Sequence, residues 1–298
     1  MSKENMVTAT KFWGNLVTEY PIVAITGVIY NPEPHGIPSK NKLIQEHDGI
    51  LLDWTLQEGN APYFGSVYPN RIPSEKDPQT FAVGAIVYVW ENCEEESPFI
   101  ETKAFTKYLV YERENHLKDL EQLGVKAKAI VMADIDLPVS VNNLRIISKT
   151  LEEKYSNTSW TLFETDNGYH IVFNKFVDPK EIPIHYAELI ESFIDLVPEV
   201  DKGKVEEIVE MINKFYDKPE MIRIICKTIL EKVSHYDDVD NKELTYPIDL
   251  RNIAHSLLEL MDYLETNEGS FGFLRISDKS GVGSQPIVVA KHEFITTN

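Results

Sequence analysis

Two cysteines are all that the 298 residues contain, and neither Cys93 nor Cys226 has a second cysteine or a close histidine beside it. That excludes a disulfide framework and a local zinc motif, and it points to a reducing compartment. Long apolar runs are missing as well. No window approaches 18 continuous apolar residues, so no membrane-spanning helix is expected, and the opening MSKENMVTATKFW has no apolar h-region of a secretory leader. These absences predict a cytoplasmic protein without membrane partners, or an intracellular one encoded by a virus or plasmid. Positive charge is scarce: 29 Lys and Arg stand against 48 Asp and Glu, a formal charge of -19. Such a chain stays soluble and does not adhere to nucleic acid through overall charge, although a local basic groove remains open to it. The segment SDKSGVGS carries Gly281 and Gly283 but no Gly-Lys-Ser/Thr, which excludes a P-loop and leaves a flexible turn. His35, His47, His116, His185, His235, His255 and His292 show no HxxxH or HxH spacing, so no histidine metal cage is expected.

What is present is a chain that is 43% hydrophobic, enough to bury one large core or two modest ones. The first hundred residues read as a strand-rich region. YPIVAITGVIY and TFAVGAIVYVW are β-branched and aromatic runs of strand length, separated by Pro32, Pro34, Pro38, Pro62, Pro69, Pro73 and Pro78. The Pro-rich loop NPEPHGIPSKNK reads as a connection, and the acidic turn ENCEEESP closes the region. From about residue 101 to the end the texture changes to helices alternating with strands. A helix is expected near 102–123, then a strand ending in IVMADIDLP, then a helix near 140–155 with Val141, Leu144, Ile147, Leu151 and Tyr155 as one buried stripe. TSWTLFETDNGYHIVFNKF predicts a hairpin, because Asn167-Gly168 is a two-residue turn signal between β-formers. On its second strand Tyr169, Ile171 and Phe173 share one face, and His170 shares the other with Val172. A mostly helical insertion follows over about 180–267, in which the run of Glu206, Glu207 and Glu210 reads as a solvated face. SFGFLRI and QPIVVAK predict two final strands.

The sharpest chemical feature is the pair Asp134 and Asp136 at the end of an apolar strand. Alternation puts both acids on one face and Ile135 on the other, with the two anions about 6 to 7 Å apart. They repel unless a cation lies between them, and a divalent metal would serve. Alone, such a pair is ordinarily solvated, a strand histidine ordinarily satisfied by common hydrogen bonds, and LRISDKSG ordinarily an edge strand entering a polar turn.

In order, however, Asp134 and Asp136, a helix, a hairpin bearing Gly168 and His170, and a distal Arg275 and Lys279 resemble the catalytic module of the archaeo-eukaryotic primase superfamily, the primase-polymerases. The resemblance covers residues 128 to 290. It implies an α/β (α+β) fold with an RNA-recognition-motif-like sheet and packed helices. It further implies metal binding by Asp134 and Asp136, phosphate contact by His170, and cationic phosphate partners in Arg275 and Lys279. For the third acid, spacing to Arg275 favours Asp262 and the apolar approach YPID favours Asp249; Asp262 is preferred, although it sits in what reads as the end of a helix. The implied activity is a nucleotidyltransferase joining nucleotides on single-stranded or primed DNA with Mg²⁺ or Mn²⁺. Nucleoside triphosphates, the DNA, and a helicase or other replication protein are the implied partners. Two divalent ions held by shared carboxylates suit that chemistry, because they polarise an attacking hydroxyl and steady the leaving pyrophosphate. The alternatives are a non-catalytic replication-accessory protein on the same fold and a metal-dependent phosphodiesterase or nuclease.

Overall fold

β-Branched residues crowd the pleat of a strand less than the turn of a helix, and the apolar runs form strands accordingly. The computed structural model describes residues 7–9, 11–13, 16, 22–30, 63–67, 80–90, 125–233, 246–266, 270–275 and 286–294. The expected helix near 102–123, the prolines between residues 32 and 78, the turn ENCEEESP and Lys279 lie outside these residues. The chain divides into two units: Val7–Lys128 with Arg275–Pro286, and a larger one made mainly of Ala129–Leu274 and Ile287–Asn298.

In the first unit, β1 (Ile22–Tyr30) pairs antiparallel with both β2 (Tyr63–Val67) and β3 (Thr80–Trp90). Consecutive residues of β3 from Ala82 to Val87 are all buried, so this strand is covered on both faces.

The larger unit is built on β4 (Val125–Ile135) from Ala129 onward, β5 (Trp160–Glu164), β6 (Tyr169–Val177) and β8 (Ile287–His292). β6 pairs with β4 and β5, and β5 pairs with β8, every contact antiparallel. The short β7 (Leu274–Arg275) precedes β8 in the chain. Ile130 to Ala133 are buried without alternation, as expected of a strand covered on both faces.

Helix α1 (Val141–Lys154) joins β4 to β5 and buries Ile147 and Leu151. The expected stripe is shorter than five residues: Val141 is 77% exposed. Helical side chains lean toward the N-terminus, so a residue in the first turn projects past the core rather than onto it. The hairpin also differs from expectation. Glu164 pairs with Tyr169, so the connection is the four residues 165–168, closed by the Thr165 N–H donating to the Gly168 carbonyl at 2.9 Å. Asn167-Gly168 is therefore not a two-residue turn, and Gly168 is used for close approach, as described below.

The helical segment after β6 forms α2 (Ile182–Ser192), α3 (Glu199–Phe215), α4 (Pro219–Val233) and α5 (Leu250–Thr266). Their apolar faces meet through residues such as Leu189, Ile212, Ile225 and Leu257, while Glu206, Glu207 and Glu210 are exposed as expected. Between α2 and α5 the fully buried Tyr186 hydroxyl bonds to Ser256, and burial raises its phenol pKa. Cys226 is wholly buried in α4, where desolvation pushes its thiol up to about 12 and leaves it inert. Among the described residues no helix is long and apolar enough to cross a membrane.

Candidate metal centre

Strand alternation at the end of β4 sends Ile135 into the core, where it is fully buried, and turns Asp134 and Asp136 the other way. A third carboxylate joins them from far along the chain. The Asp136 N–H donates to the Pro247 carbonyl at 3.2 Å, and the Asp249 N–H donates to the Asp134 carbonyl at 3.1 Å. This reciprocal pattern is an antiparallel bridge in which Ile135 and Ile248 lie opposite each other. Both isoleucines are buried, so Asp249 falls on the same side as the β4 acids. Ligating oxygens of Asp134, Asp136 and Asp249 lie within 4.8 Å of one another, each side chain half-buried.

Asp249 also starts α5. Its Oδ1 accepts from the Asn252 N–H at 2.9 Å and its carbonyl accepts from the Ile253 N–H at 3.0 Å, the N-cap arrangement. Capping fixes the carboxylate plane while leaving its second oxygen for the cluster. Burial, and next the charge of Asp249, push Asp136 up to about 6. A divalent cation would relieve that repulsion, and oxygen-only ligands from carboxylates suit hard ions of the Mg²⁺ type. The residues present therefore fit a metal ion.

His170 stands directly across from Asp134 in the β4–β6 register, 8% exposed, with Nε2 3.8 Å from Asp134 Oδ1. That separation is beyond a hydrogen bond but within charge interaction. Beneath the cluster, a Cβ placed on Gly168 would meet the Ile135 carbonyl oxygen at 2.5 Å. Only glycine permits β6 to begin so close under the end of β4. The loop leaving the acids is braced by the next residue, the buried Tyr169. Its hydroxyl accepts from the Ser140 N–H at 2.9 Å and donates to the Ser140 carbonyl at 3.1 Å. Ser140 Oγ in turn caps α1 by accepting from the Asn143 N–H at 3.1 Å, and the Asn143 amide donates to the Pro138 carbonyl at 2.7 Å.

The third acid is thus a correction to the sequence reading: Asp249, not Asp262, accompanies Asp134 and Asp136. Asp262 lies roughly 20 Å farther along α5 by helical rise. Its exposed carboxylate accepts from Arg223 Nη1 at 2.7 Å, while Arg223 Nη2 binds Glu265 at 2.9 Å, so the acid fastens α4 to α5. Arg275 ends β7 and belongs to the first unit. The Pro247 carbonyl and the Tyr169 hydroxyl carry no sequence signal, whereas the apolar approach YPI before Asp249 does. Fold and site together define an α+β protein in whose larger unit an antiparallel strand set ends in a carboxylate cluster able to hold a metal ion. No protein-family description matches the chain, and neither does any curated protein or solved structure.

Proposed function

We propose that the larger unit is a metal-dependent nucleotidyltransferase of the primase-polymerase type, acting on single-stranded or primed nucleic acid. The observation that carries this reading is the meeting of Asp134 and Asp136 with an acid that follows the apolar residues YPI, with His170 opposite on the neighbouring strand. Asp249 takes the place of the third acid in this reading: it follows the apolar residues Tyr246, Pro247 and Ile248, whereas Asp262 lies within α5. The β4-β6-β5-β8 sheet with α1 joining β4 to β5 is the part that would correspond to the RNA-recognition-motif-like core.

In this reading Asp134, Asp136 and Asp249 hold Mg²⁺ or Mn²⁺. The bound ion supplies Lewis-acid polarisation and charge neutralisation for phosphoryl transfer. The protein's own contribution is placement. The β4 backbone fixes the spacing of two acids, the helix cap fixes the third, and the Ile135–Ile248 bridge holds the two chain segments in register. His170, buried to its ring edge beside Asp134, is placed to donate a hydrogen bond to a phosphate oxygen of the incoming nucleotide. Arg275 and Lys279 remain the proposed cationic partners, and a helicase or other replication protein the proposed associate.

The test is incorporation of labelled ribo- and deoxynucleotides on single-stranded and primed DNA with Mg²⁺ or Mn²⁺. Wild type is expected to extend. Asp134→Ala/Asp136→Ala and Asp249→Asn should each fall by about 10³-fold or more, as expected when charge stabilisation at the reacting centre is removed, whereas Asp262→Asn should stay within a few fold. Strand cleavage without pyrophosphate release would assign the same acids to a nuclease. Neither product, together with no divalent binding, would leave an accessory protein.

A further inference from the structure

A cavity of about 480 Å³ lies on the face of the sheet opposite the acids, formed entirely by the larger unit. Its volume is in the range of small-molecule sites, roughly 300 to 1,000 Å³. Val131 of β4 and Phe173 of β6 make an apolar floor, and the Tyr155 ring rests against Phe173 with centroids 4.7 Å apart. Strand alternation separates this floor from the candidate centre: Phe173 and Lys175 share the face of Ile171, while His170 shares the other with Val172.

The walls are held by bonds that use up their own polar groups. The Tyr155 hydroxyl meets Ser192 Oγ at 3.1 Å, and Ser192 Oγ donates to the Glu188 carbonyl at 2.7 Å, tying the end of α1 to α2. Because burial pushes the Tyr155 phenol up to about 12, it stays a neutral bridge. His185 Nδ1 is taken by the Glu188 carboxylate at 3.0 Å. Two groups in the lining stand apart. The side chains of Lys154, at the end of α1, and Lys175, near the end of β6, make no ion pair or hydrogen bond with a described residue, although Glu188 and Glu191 line the same cavity. Both ammonium groups stand beside the apolar floor of Val131 and Phe173.

We infer that this cavity is a second binding site, separate from the carboxylate cluster, for a small organic anion: a phosphate or carboxylate group on a flat apolar body. Lys154 and Lys175 receive the anionic group, and Val131, Phe173 and Tyr155 receive the body. The inference does not depend on the nucleotidyltransferase reading, because it uses none of the acids.

Titration of the full-length protein with phenyl phosphate, benzoate and inorganic phosphate tests it, using calorimetry in EDTA so that the carboxylate cluster plays no part. Phenyl phosphate or benzoate is expected to bind at least tenfold more tightly than inorganic phosphate. Preference between the two fixes the anion class. Lys154→Ala/Lys175→Ala should weaken binding at least tenfold, and Asp134→Ala/Asp136→Ala should leave it unchanged. Both lysines are exposed, so the variant is expected to fold, and an unaltered melting temperature confirms that it has. Absence of binding by both organic anions overturns the inference, as does binding that is indifferent to the lysines or lost with the acids.

Discussion

Asp136 is the residue at which the charge of the site is least comfortable. Its carboxyl sits near 6 instead of 3.8, chiefly from burial and then from Asp249. A raised acid pKa means that the folded protein binds the proton more tightly than the unfolded chain does. Metal-free stability is therefore expected to fall as pH rises from about 4 to about 6 and to level off above that. Partial exposure reduces the effect to about 1 kcal/mol. Asp136→Asn should flatten this slope and raise the metal-free melting temperature at pH 7, while abolishing the added stability that Mn²⁺ gives the wild type. Melting curves across pH 4 to 7, with EDTA and with Mn²⁺, measure both; a wild-type stability that climbs with pH over this range would contradict the assigned environment. The paired acids were legible in the sequence because alternation alone puts them on one face. Their partner was signalled only by the apolar YPI before Asp249, since Asp249 and Asp262 differ by long-range placement: one caps a helix against β4, the other pairs with an arginine a helix away.

At the level of elements, the hairpin shows how a correct motif was read for the wrong reason. Asn167-Gly168 has the composition of a tight turn, yet Gly168 is required because the Ile135 carbonyl occupies the place of its Cβ, 2.5 Å away. That contact joins β6 to the end of β4, and sequence patterns within one hairpin carry no information about a third strand. Gly168→Ala should push β6 away from β4 and loosen the acids with it. The expected loss is about 1 to 3 kcal/mol of stability, with Mn²⁺ affinity falling in the same variant. Alanine at the neighbouring, exposed Asn167 should change neither. Thermal melts and metal titration of the two variants make the comparison, and equal behaviour would assign Gly168 to the turn after all. Helix α1 was legible from Ile147 and Leu151, whose spacing reflects real burial. Val141 was not, because periodicity does not reveal where the sheet beneath a helix ends.

For the whole molecule, the charge of -19 bears on how the nucleic acid of the proposed function would be approached. Proteins that hold nucleic acid through many lysines and arginines lose affinity steeply with salt. Here overall repulsion opposes the encounter, and salt screens it. Raising monovalent salt from 50 to 200 mM at fixed Mg²⁺ is expected to change the KM for primed DNA by less than about fivefold, whereas six to ten phosphate contacts would give about 10³-fold or more. A steep loss would instead reveal a concentrated basic groove. Composition made this property legible without any structure, whereas the strand-length β-branched runs and helical stripes showed only that strands and helices would both be present.

The bridge between Ile135 and Ile248 has a bearing on how the protein comes to be made. Everything from the end of β4 to the start of α5 lies between those two residues, so the three acids cannot meet until that whole stretch has closed on itself. Contacts so distant in sequence form slowly, because the entropy of closing a long loop opposes them before they bring any return. The carboxylate cluster is therefore expected to be a late arrival in folding, with a nascent chain unable to retain a metal ion there until α5 has emerged and docked.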